Sequence, residues 1–246
     1  MTTDKRFRQM LANIRRHSFA GWDFSYLTET GRMGSGPLSW SYGSMALPLV
    51  REAKTLLDMG TGGGELLSKL APFPERTFAT ECYPPNVPIA RKRLEPLGAV
   101  VVPVENDDAL PFEDGRFDLI LNRHESYSAR EVRRIVAEDG LFLTQQSGGL
   151  DCREINAALG VPLNPEFQPW DSDTAAAELE ANGFEILMRK EEFPVQRFFD
   201  IECLLSYLSA IPWQVPGFAP EAYAKSLYDI HRSMERKGFF DATQHR

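Results

Sequence analysis

The sequence predicts an α/β fold in which helices cover both faces of a doubly wound, mostly parallel sheet. Three observations support this prediction. Short apolar runs alternate along the chain with segments of helical periodicity. The first two of these runs end in an acidic residue, Asp58 and Glu81. Between them, glycines occupy every second position at 60, 62 and 64. This spacing is typical of a tight turn that follows a strand, because glycine permits positive φ.

The glycine-rich turn follows the first strand in the run LLDMGTGGGE, residues 56–65. Glycines allow positive φ and let a ligand contact the main chain, and a helix predicted at 65–70 would add unpaired N–H groups. The dinucleotide fingerprint GxGxxG needs a small residue where Glu65 stands, and the pattern GxxxxGK[ST] does not occur. The turn therefore predicts a nucleoside-type cofactor, but it fits neither an NAD site nor a nucleotide P-loop.

The other elements follow from the same periodicities. Further strands are predicted at 77–81, 99–104, 117–121, 141–146 and 184–190, and Pro103 should end the second of these early. Helices are predicted at 86–97, from a capping box at 128–131 to Gly140, and at 174–182, 200–210 and 220–237. Glu81, at the end of its strand, offers two acceptor oxygens to the hydroxyls of a ribose.

Together these segments resemble the class I S-adenosylmethionine-dependent methyltransferases over residues 45–190. The resemblance lies in DMGTGGG at 58–64, ATECYPPNVPIA at 79–90, DDALPF at 107–112, FDLIL at 117–121 and LNRHESY at 121–127. It implies a seven-stranded, Rossmann-like sheet with an N-terminal helical extension and a helical insertion before the last strand. It also implies S-adenosyl-L-methionine as the cofactor.

By this resemblance, the acid and the glycine turn face the methionine half of the cofactor, and Cys82 lies beside the adenine. Either Asn106 or Asp107 accepts a hydrogen bond from the adenine amino group, although an acid is common in the family where Asn106 stands. The predicted cofactor-binding residues are Asp58, Gly60, Thr61, Gly62, Gly64, Glu81, Cys82, Asn106, Asp107 and Asn122.

The end of the fourth strand carries the predicted catalytic residues, His124 and Glu125. Methyl transfer from a sulfonium is an in-line displacement, so a base is needed only if the acceptor arrives protonated. His124 suits proton removal near neutrality, and Glu125 either orients it or binds a cationic substrate. The alternative is that Asn122 and His124 only satisfy backbone groups at the strand end.

Aromatic residues outside the sheet are candidates for a lid or a substrate platform, because they offer large, stiff surfaces. Phe24 and Leu27 are expected in the core. The predicted substrate and lid residues are Trp22, Tyr26, Trp40, Tyr127 and Trp213. The segment 200–238 either roofs the acceptor pocket or forms the surface of a homodimer.

We expect one methyltransferase domain over 1–246. It divides into an N-terminal extension at 1–50, a cofactor-binding core at 51–199, a helical cap insertion at 200–238 and a short or truncated last strand at 239–246. With 246 residues, 43% of them hydrophobic and 25% charged, the composition is that of a globular protein. No apolar stretch is long enough to span a bilayer and no secretion signal is recognised, which predicts a cytoplasmic location. The three cysteines form no CxxC and the histidines no HxxxH pair, so neither a disulfide framework nor a metal site is predicted.

Three function classes follow. The first is a methyltransferase that acts on an oxygen or nitrogen nucleophile of a small molecule. The second is an RNA methyltransferase, suggested by a basic segment that contains Lys5, Arg6, Arg8, Arg15 and Arg16. A net charge of -8 disfavours nucleic acid as the partner, because phosphate binding usually needs a broad basic surface. The third is a non-catalytic protein that binds the same cofactor.

Overall fold

The computed structural model describes residues 24–246 together with Phe7, Met10 and Leu11. The predictions about Trp22 and about the basic residues Lys5, Arg6, Arg8, Arg15 and Arg16 lie outside the described residues. Among the helices that the structure describes, none is both long and apolar enough to cross a membrane.

The strands of the described residues form two sheets. In chain order they are β1 (Met33–Ser35), β2 (Thr55–Met59), β3 (Arg76–Glu81), β4 (Ala99–Pro103), β5 (Phe117–Arg123), β6 (Val136–Gln145), β7 (Val195–Phe198) and β8 (Phe240–Thr243). A parallel sheet has the order β4-β3-β2-β5-β6, and a smaller antiparallel sheet has the order β1-β7-β8. The parallel sheet confirms the predicted α/β architecture, and its strand order brings the carboxyl ends of β2, β3 and β5 to one edge.

Helices lie between these strands and pack against both sheets. They are α1 (Ser25–Thr28), α2 (Tyr42–Glu52), α3 (Val87–Leu94), α4 (Ala129–Ile135), α5 (Arg153–Leu159), α6 (Ser172–Ala181), α7 (Ile201–Ala210) and α8 (Ala224–Lys237). Single 3₁₀ turns lie at Leu67–Leu70, Glu95–Leu97 and Pro220–Tyr223.

Two hydrophobic cores lie on opposite faces of the parallel sheet because side chains alternate along each strand. On one face, Leu56 and Leu121 pack with the apolar sides of α2 and α3. On the other, Leu57 and Ile120 pack with α4. A third core joins α5, α7 and α8 to the antiparallel sheet. There the predicted amphipathic pattern of α8 is confirmed, since Leu227, Ile230 and Met234 are buried.

The prediction of a seven-stranded sheet is not confirmed. Five strands lie in the parallel sheet of the described residues, and segment 184–190 forms no regular secondary structure. The segment keeps an alternating pattern at its start, with Ile186 half-buried and Leu187 72% exposed. A cavity of about 170 Å³, lined by Leu143 of β6 and by Ile186, lies between the segment and the outer edge of the sheet. The cavity separates the segment from β6, the edge strand with which it would pair, and alternation alone does not make a strand.

The last strand is short, as predicted, but β8 pairs with β7 and not with the parallel sheet. Helices α7 and α8 lie between β7 and β8, where the sequence predicts a helical insertion. Asp200 caps α7 by accepting a hydrogen bond from the Cys203 N–H at 2.8 Å.

Two local predictions are corrected. The helix expected at 65–70 is only a 3₁₀ turn at Leu67–Leu70, because the sequence Ala-Pro-Phe-Pro at 71–74 prevents its continuation. The capping box at Ser128 does not form, since the Ser128 side chain makes no cap hydrogen bond. Glu131 instead accepts a hydrogen bond from the Leu110 N–H at 2.7 Å and pairs with Arg134, which fixes the loop before β5 onto α4.

Candidate functional site

The glycine turn after β2 has the backbone conformation that its sequence predicts. Gly60, Gly62 and Gly64 have φ values of 61°, 63° and 78°, a region that side chains with a Cβ rarely adopt. The Thr61 N–H donates to the Thr80 carbonyl at 2.9 Å, and Arg93 of α3 donates to the Gly63 carbonyl. The turn is therefore held by both β3 and α3, with bare glycine backbone at the edge of the sheet.

Two buried carboxylates flank this turn at the ends of their strands. Asp58 is 6% exposed and Glu81 is 3% exposed. Burial raises the pKa of Asp58 to about 7, and the nearby charge of Arg123 opposes the rise. Burial also raises the pKa of Glu81, whereas a hydrogen bond that it accepts from the Tyr83 N–H at 2.7 Å lowers it. Glu81 thus already holds the chain after β3 in place with one of its oxygens.

Glu125 lies over the glycine turn and not against His124. A Cβ at Gly60 would collide with the Glu125 side chain, so that side chain packs directly on the bare glycine. The Cys82 Sγ lies 3.8 Å from Glu125 Oε1. Burial raises the pKa of Glu125 to about 7, and the negative charges of Asp107 and Glu81 add to the rise. The predicted role of Glu125 in orienting His124 is therefore not supported by its position.

Of the two adenine candidates, Asp107 lies with the other groups. It accepts a hydrogen bond from the Ser126 hydroxyl at 2.7 Å, and its charge acts on Glu125. Asn106 is exposed, and its side chain accepts a local hydrogen bond from the Asp108 N–H at 3.0 Å. The acidic group around the turn thus consists of Asp58, Glu81, Asp107 and Glu125. Within the described residues, no three side chains of the metal-ligating types come together in a way that could hold a metal ion.

His124 lies beyond the end of β5, across from the acidic group; we call the space between them, beyond the carboxyl edge of the parallel sheet, the cleft. It has φ of 62°, unusual for a residue with a side chain, and its N–H donates to the Gln145 carbonyl at 2.8 Å. Its ring nitrogens lie 3.3 Å from the Gln145 amide nitrogen and 3.3 Å from the Ser147 hydroxyl. Burial lowers the pKa of His124 well below 6.5, and the charges of Arg246 and Arg123 lower it further. The imidazole is therefore neutral at neutral pH.

Two arginines border His124, and only one has a carboxylate partner. The Arg246 guanidinium is 2.6 Å from Asp151 and 3.0 Å from the Ser147 hydroxyl. Arg123 is the last residue of β5 and stands opposite Gln145 of β6 in the parallel register. In the part of the chain that the structure describes, no carboxylate lies within ion-pairing distance of Arg123. Its pKa is lowered by burial first and then by the charge of Arg246.

Asn122, Tyr127 and Tyr26, three further predicted site residues, differ in their surroundings. Asn122 is fully buried, and its amide oxygen accepts hydrogen bonds from Thr144 at 2.9 Å and from Gln146. Tyr127 packs against Phe142 with ring centroids 5.1 Å apart. Tyr26 lies in α1 and is 47% exposed. The contacts of Asn122 account for its burial without a ligand, whereas the Tyr127 hydroxyl is buried with no hydrogen-bond partner among the described residues.

Trp40 is linked to His124 through a glutamine of β6. Its indole N–H donates to the Gln145 side-chain oxygen at 3.0 Å, so that Gln145 connects Trp40 to His124. Trp213 follows α7, and its carbonyl accepts a hydrogen bond from Asn164 at 3.5 Å. A lid role for Trp40 or Trp213 stays a prediction.

Sequence reasoning did not select Arg123 or Arg246. The signal for Arg123 was available, because a cation at a strand end beside the candidate catalytic histidine is unusual. Arg246 reaches the cleft only through the path of the chain after β8, which no local pattern reveals. The site therefore has an acidic half around the glycine turn and a basic half around His124.

A family model described as a methyltransferase domain matches residues 57–144, which run from β2 to β6. The demethylmenaquinone methyltransferase of Thermus thermophilus is 38% identical over 87 residues, 34% of this chain and 39% of that protein. A ubiquinone biosynthesis O-methyltransferase of Cereibacter sphaeroides is 31% identical over 112 residues, 45% of this chain and 40% of that protein. The chain thus spans about two fifths of the length of these relatives.

The fold also matches solved structures. The YcgJ protein from Bacillus subtilis superposes with a TM-score of 0.58 at 16% identity, over 83% of this chain and 94% of that one. This likeness shows the fold. The matched domain and the methyltransferase relatives support a class I S-adenosylmethionine-dependent methyltransferase, and the superposed structure agrees with its fold.

Proposed function

We propose that this chain transfers the methyl group of S-adenosylmethionine to an oxygen or nitrogen nucleophile of a small molecule. The observation that carries the proposal is the acidic group around three glycines of positive φ, at the carboxyl edge of a parallel sheet. Ligands of open α/β sheets bind at this edge. A bare backbone that permits close approach and four nearby carboxylates suit a ligand that bears a sulfonium and an ammonium group.

The residues divide between the parts of the cofactor. Asp58 and Glu125 lie where the glycine turn leaves the backbone bare, and we assign them to the ammonium of the methionine part. Glu81 is assigned to the ribose and Asp107 to the adenine amino group. When bound, S-adenosylmethionine supplies a methyl group on a sulfonium that leaves as a neutral thioether. The chain contributes orientation and charge, which supply much of the rate of an in-line displacement.

The names of the relatives support a small-molecule acceptor. One is a demethylmenaquinone methyltransferase, and another is an O-methyltransferase of ubiquinone biosynthesis. His124 faces the acceptor side of the cleft, together with Gln145 and Trp40. Its role as a general base stays a prediction, since burial and two arginines lower its pKa. Cofactor binding without transfer to any acceptor of a metabolite extract would favour the non-catalytic alternative.

Substitution of Glu81 by Gln should weaken every ligand that contains the ribose. We expect S-adenosylmethionine and 5′-methylthioadenosine to lose affinity by about 1 to 3 kcal/mol each, the range for a hydrogen bond to a charged group. Calorimetric titration measures both. Glu113→Gln, at an exposed position, is the matched control. Loss for S-adenosylmethionine alone would move Glu81 from the ribose to the methionine part.

Cofactor binding should release protons near pH 7. Asp58 and Glu125 have pKa values of about 7 in the ligand-free protein, and a bound cation lowers them, so each group loses its remaining proton on binding. We expect release of about 0.5 to 1 proton at pH 7 and an affinity that falls as the pH drops from 8 to 6.

Titration in buffers of different ionisation enthalpy measures this number. Glu125→Gln should reduce the release and should weaken S-adenosylmethionine while sparing 5′-methylthioadenosine, which lacks the amino-acid part. An unchanged proton count in Glu125→Gln would remove Glu125 from the cofactor site.

A further inference from the structure

The cation of Arg123 has no assigned role in the proposed function. Alternation along β5 places it on the same face as Leu121, above the core that α2 covers. In the register it stands between the glycine turn of β2 and Gln145 of β6. It therefore lies at the boundary between the cofactor half and the acceptor half of the cleft.

Its surroundings leave the charge uncompensated. The negative charge of Asp58 acts on Arg123. Among the described residues, however, Asp58 and Arg123 are not close enough to form an ion pair. The neighbouring Arg246 adds positive charge, although that charge is paired with Asp151. Arg123 is exposed at the end of β5, so its guanidinium is open to an anion that enters from solvent. Arginine also binds carboxylates and other oxyanions through two parallel N–H donors.

The neutral state of His124 points in the same direction. A histidine next to two arginines is a weak base, because its protonation would add a third positive charge. A weak base serves an acceptor poorly if that acceptor arrives protonated. An acceptor that arrives as an anion needs no base, and it supplies the negative charge that this half of the cleft lacks.

We propose that the acceptor is an oxygen acid, such as a phenol, an enol or a carboxylic acid, that binds as its anion to the guanidinium of Arg123 beside His124. This inference rests on the proposed methyl transfer. The acceptor gives its proton to solvent before the reaction. Its oxygen then forms a bond to the methyl carbon while the carbon–sulfur bond breaks, and the electron pair of that bond stays on sulfur.

The test uses benzoate and its neutral isostere benzamide as probes, and ligand-observed NMR measures their binding. Both are titrated into the free protein and into its complex with S-adenosylhomocysteine. We expect benzoate to bind at least about ten-fold more tightly than benzamide, as a charge-assisted contact to arginine would give. Arg123→Gln should remove the preference, Arg123→Lys should restore part of it, and Arg130→Gln, at an exposed position of α4, should leave it unchanged.

Equal binding of the two probes, or a preference that survives Arg123→Gln, would overturn the inference. It would also be overturned if Arg123→Gln weakened S-adenosylhomocysteine as much as benzoate, since the cation would then serve the carboxylate of the cofactor. Failure of wild type to bind S-adenosylhomocysteine would refute the proposed function. The benzoate titration of the free protein would still decide whether Arg123 binds anions.

Discussion

Substitution of Asp58 by Asn is expected to abolish cofactor binding and, at the same time, to stabilise the ligand-free protein at pH 8. Asp58 is almost completely buried, and its pKa is raised to about 7. Above that pH the folded protein carries a buried carboxylate that the unfolded chain exposes to water. Asn removes this charge with little change of shape, so the free energy of unfolding should rise by about 2 to 4 kcal/mol.

The sign of this effect changes with pH in a defined way. Since the pKa of Asp58 is higher in the folded state, wild type gains stability as the pH falls from about 7 towards 4. The advantage of Asp58→Asn should therefore be full at pH 8 and lost near pH 4. Urea unfolding at both pH values measures the difference in the free energy of unfolding. The control is Asp173→Asn, at an exposed position. Asp118 is not a suitable control, because it accepts hydrogen bonds from two backbone N–H groups. An Asp58→Asn variant that is less stable than wild type at pH 8 would show that the carboxylate is satisfied in the folded protein.

Substitution of Gly64 by Ala is expected to have the largest effect on folding in the glycine turn. Its φ of 78° already disfavours a side chain, and a new Cβ would lie 2.7 Å from Cγ of the buried Leu94. The strain of positive φ costs about 1 to 2 kcal/mol, and overpacking against a core side chain adds about 1 to 3 kcal/mol. The turn should shift to relieve the contact, which would also weaken cofactor binding.

Gly160→Ala separates the two contributions. Gly160 has φ of 73°, and a Cβ there would meet no atom within 4 Å. Denaturant unfolding should show a larger loss of unfolding free energy for Gly64→Ala than for Gly160→Ala. The difference is the overpacking energy. Equal losses would mean that α3 accommodates the methyl group and that Gly64 is required only for its backbone conformation.

The cofactor half of the site could be predicted from the sequence because its determinants are local. Asp58 and Glu81 each end an apolar run, and the glycines follow at fixed spacing, so the strand order alone brings them together. The acceptor half depends on contacts between distant segments. Glu125 lies over Gly60 because His124 adopts positive φ and turns the chain back, which the residue types do not indicate.

The fold shows the same division. The five parallel strands are recognisable because their apolar runs suit a sheet covered on both faces. Strands β1 and β7 were not predicted, since three or four residues such as Met-Gly-Ser carry too little pattern. Segment 184–190 has a strand-like pattern but pairs with no strand of the described residues, because pairing is decided by the whole chain and not by the segment itself.

The most direct test of the central claim is calorimetric titration of the folded protein with S-adenosylmethionine and S-adenosylhomocysteine. We predict micromolar binding of both, with the affinity lost in Asp58→Asn while that variant remains folded. Micromolar affinity corresponds to about 8 kcal/mol, which a few charge-assisted hydrogen bonds and the buried adenosine can supply. The absence of binding for both ligands, in a protein shown to be folded by its unfolding transition, would contradict the assignment of the glycine turn and the acidic group to this cofactor.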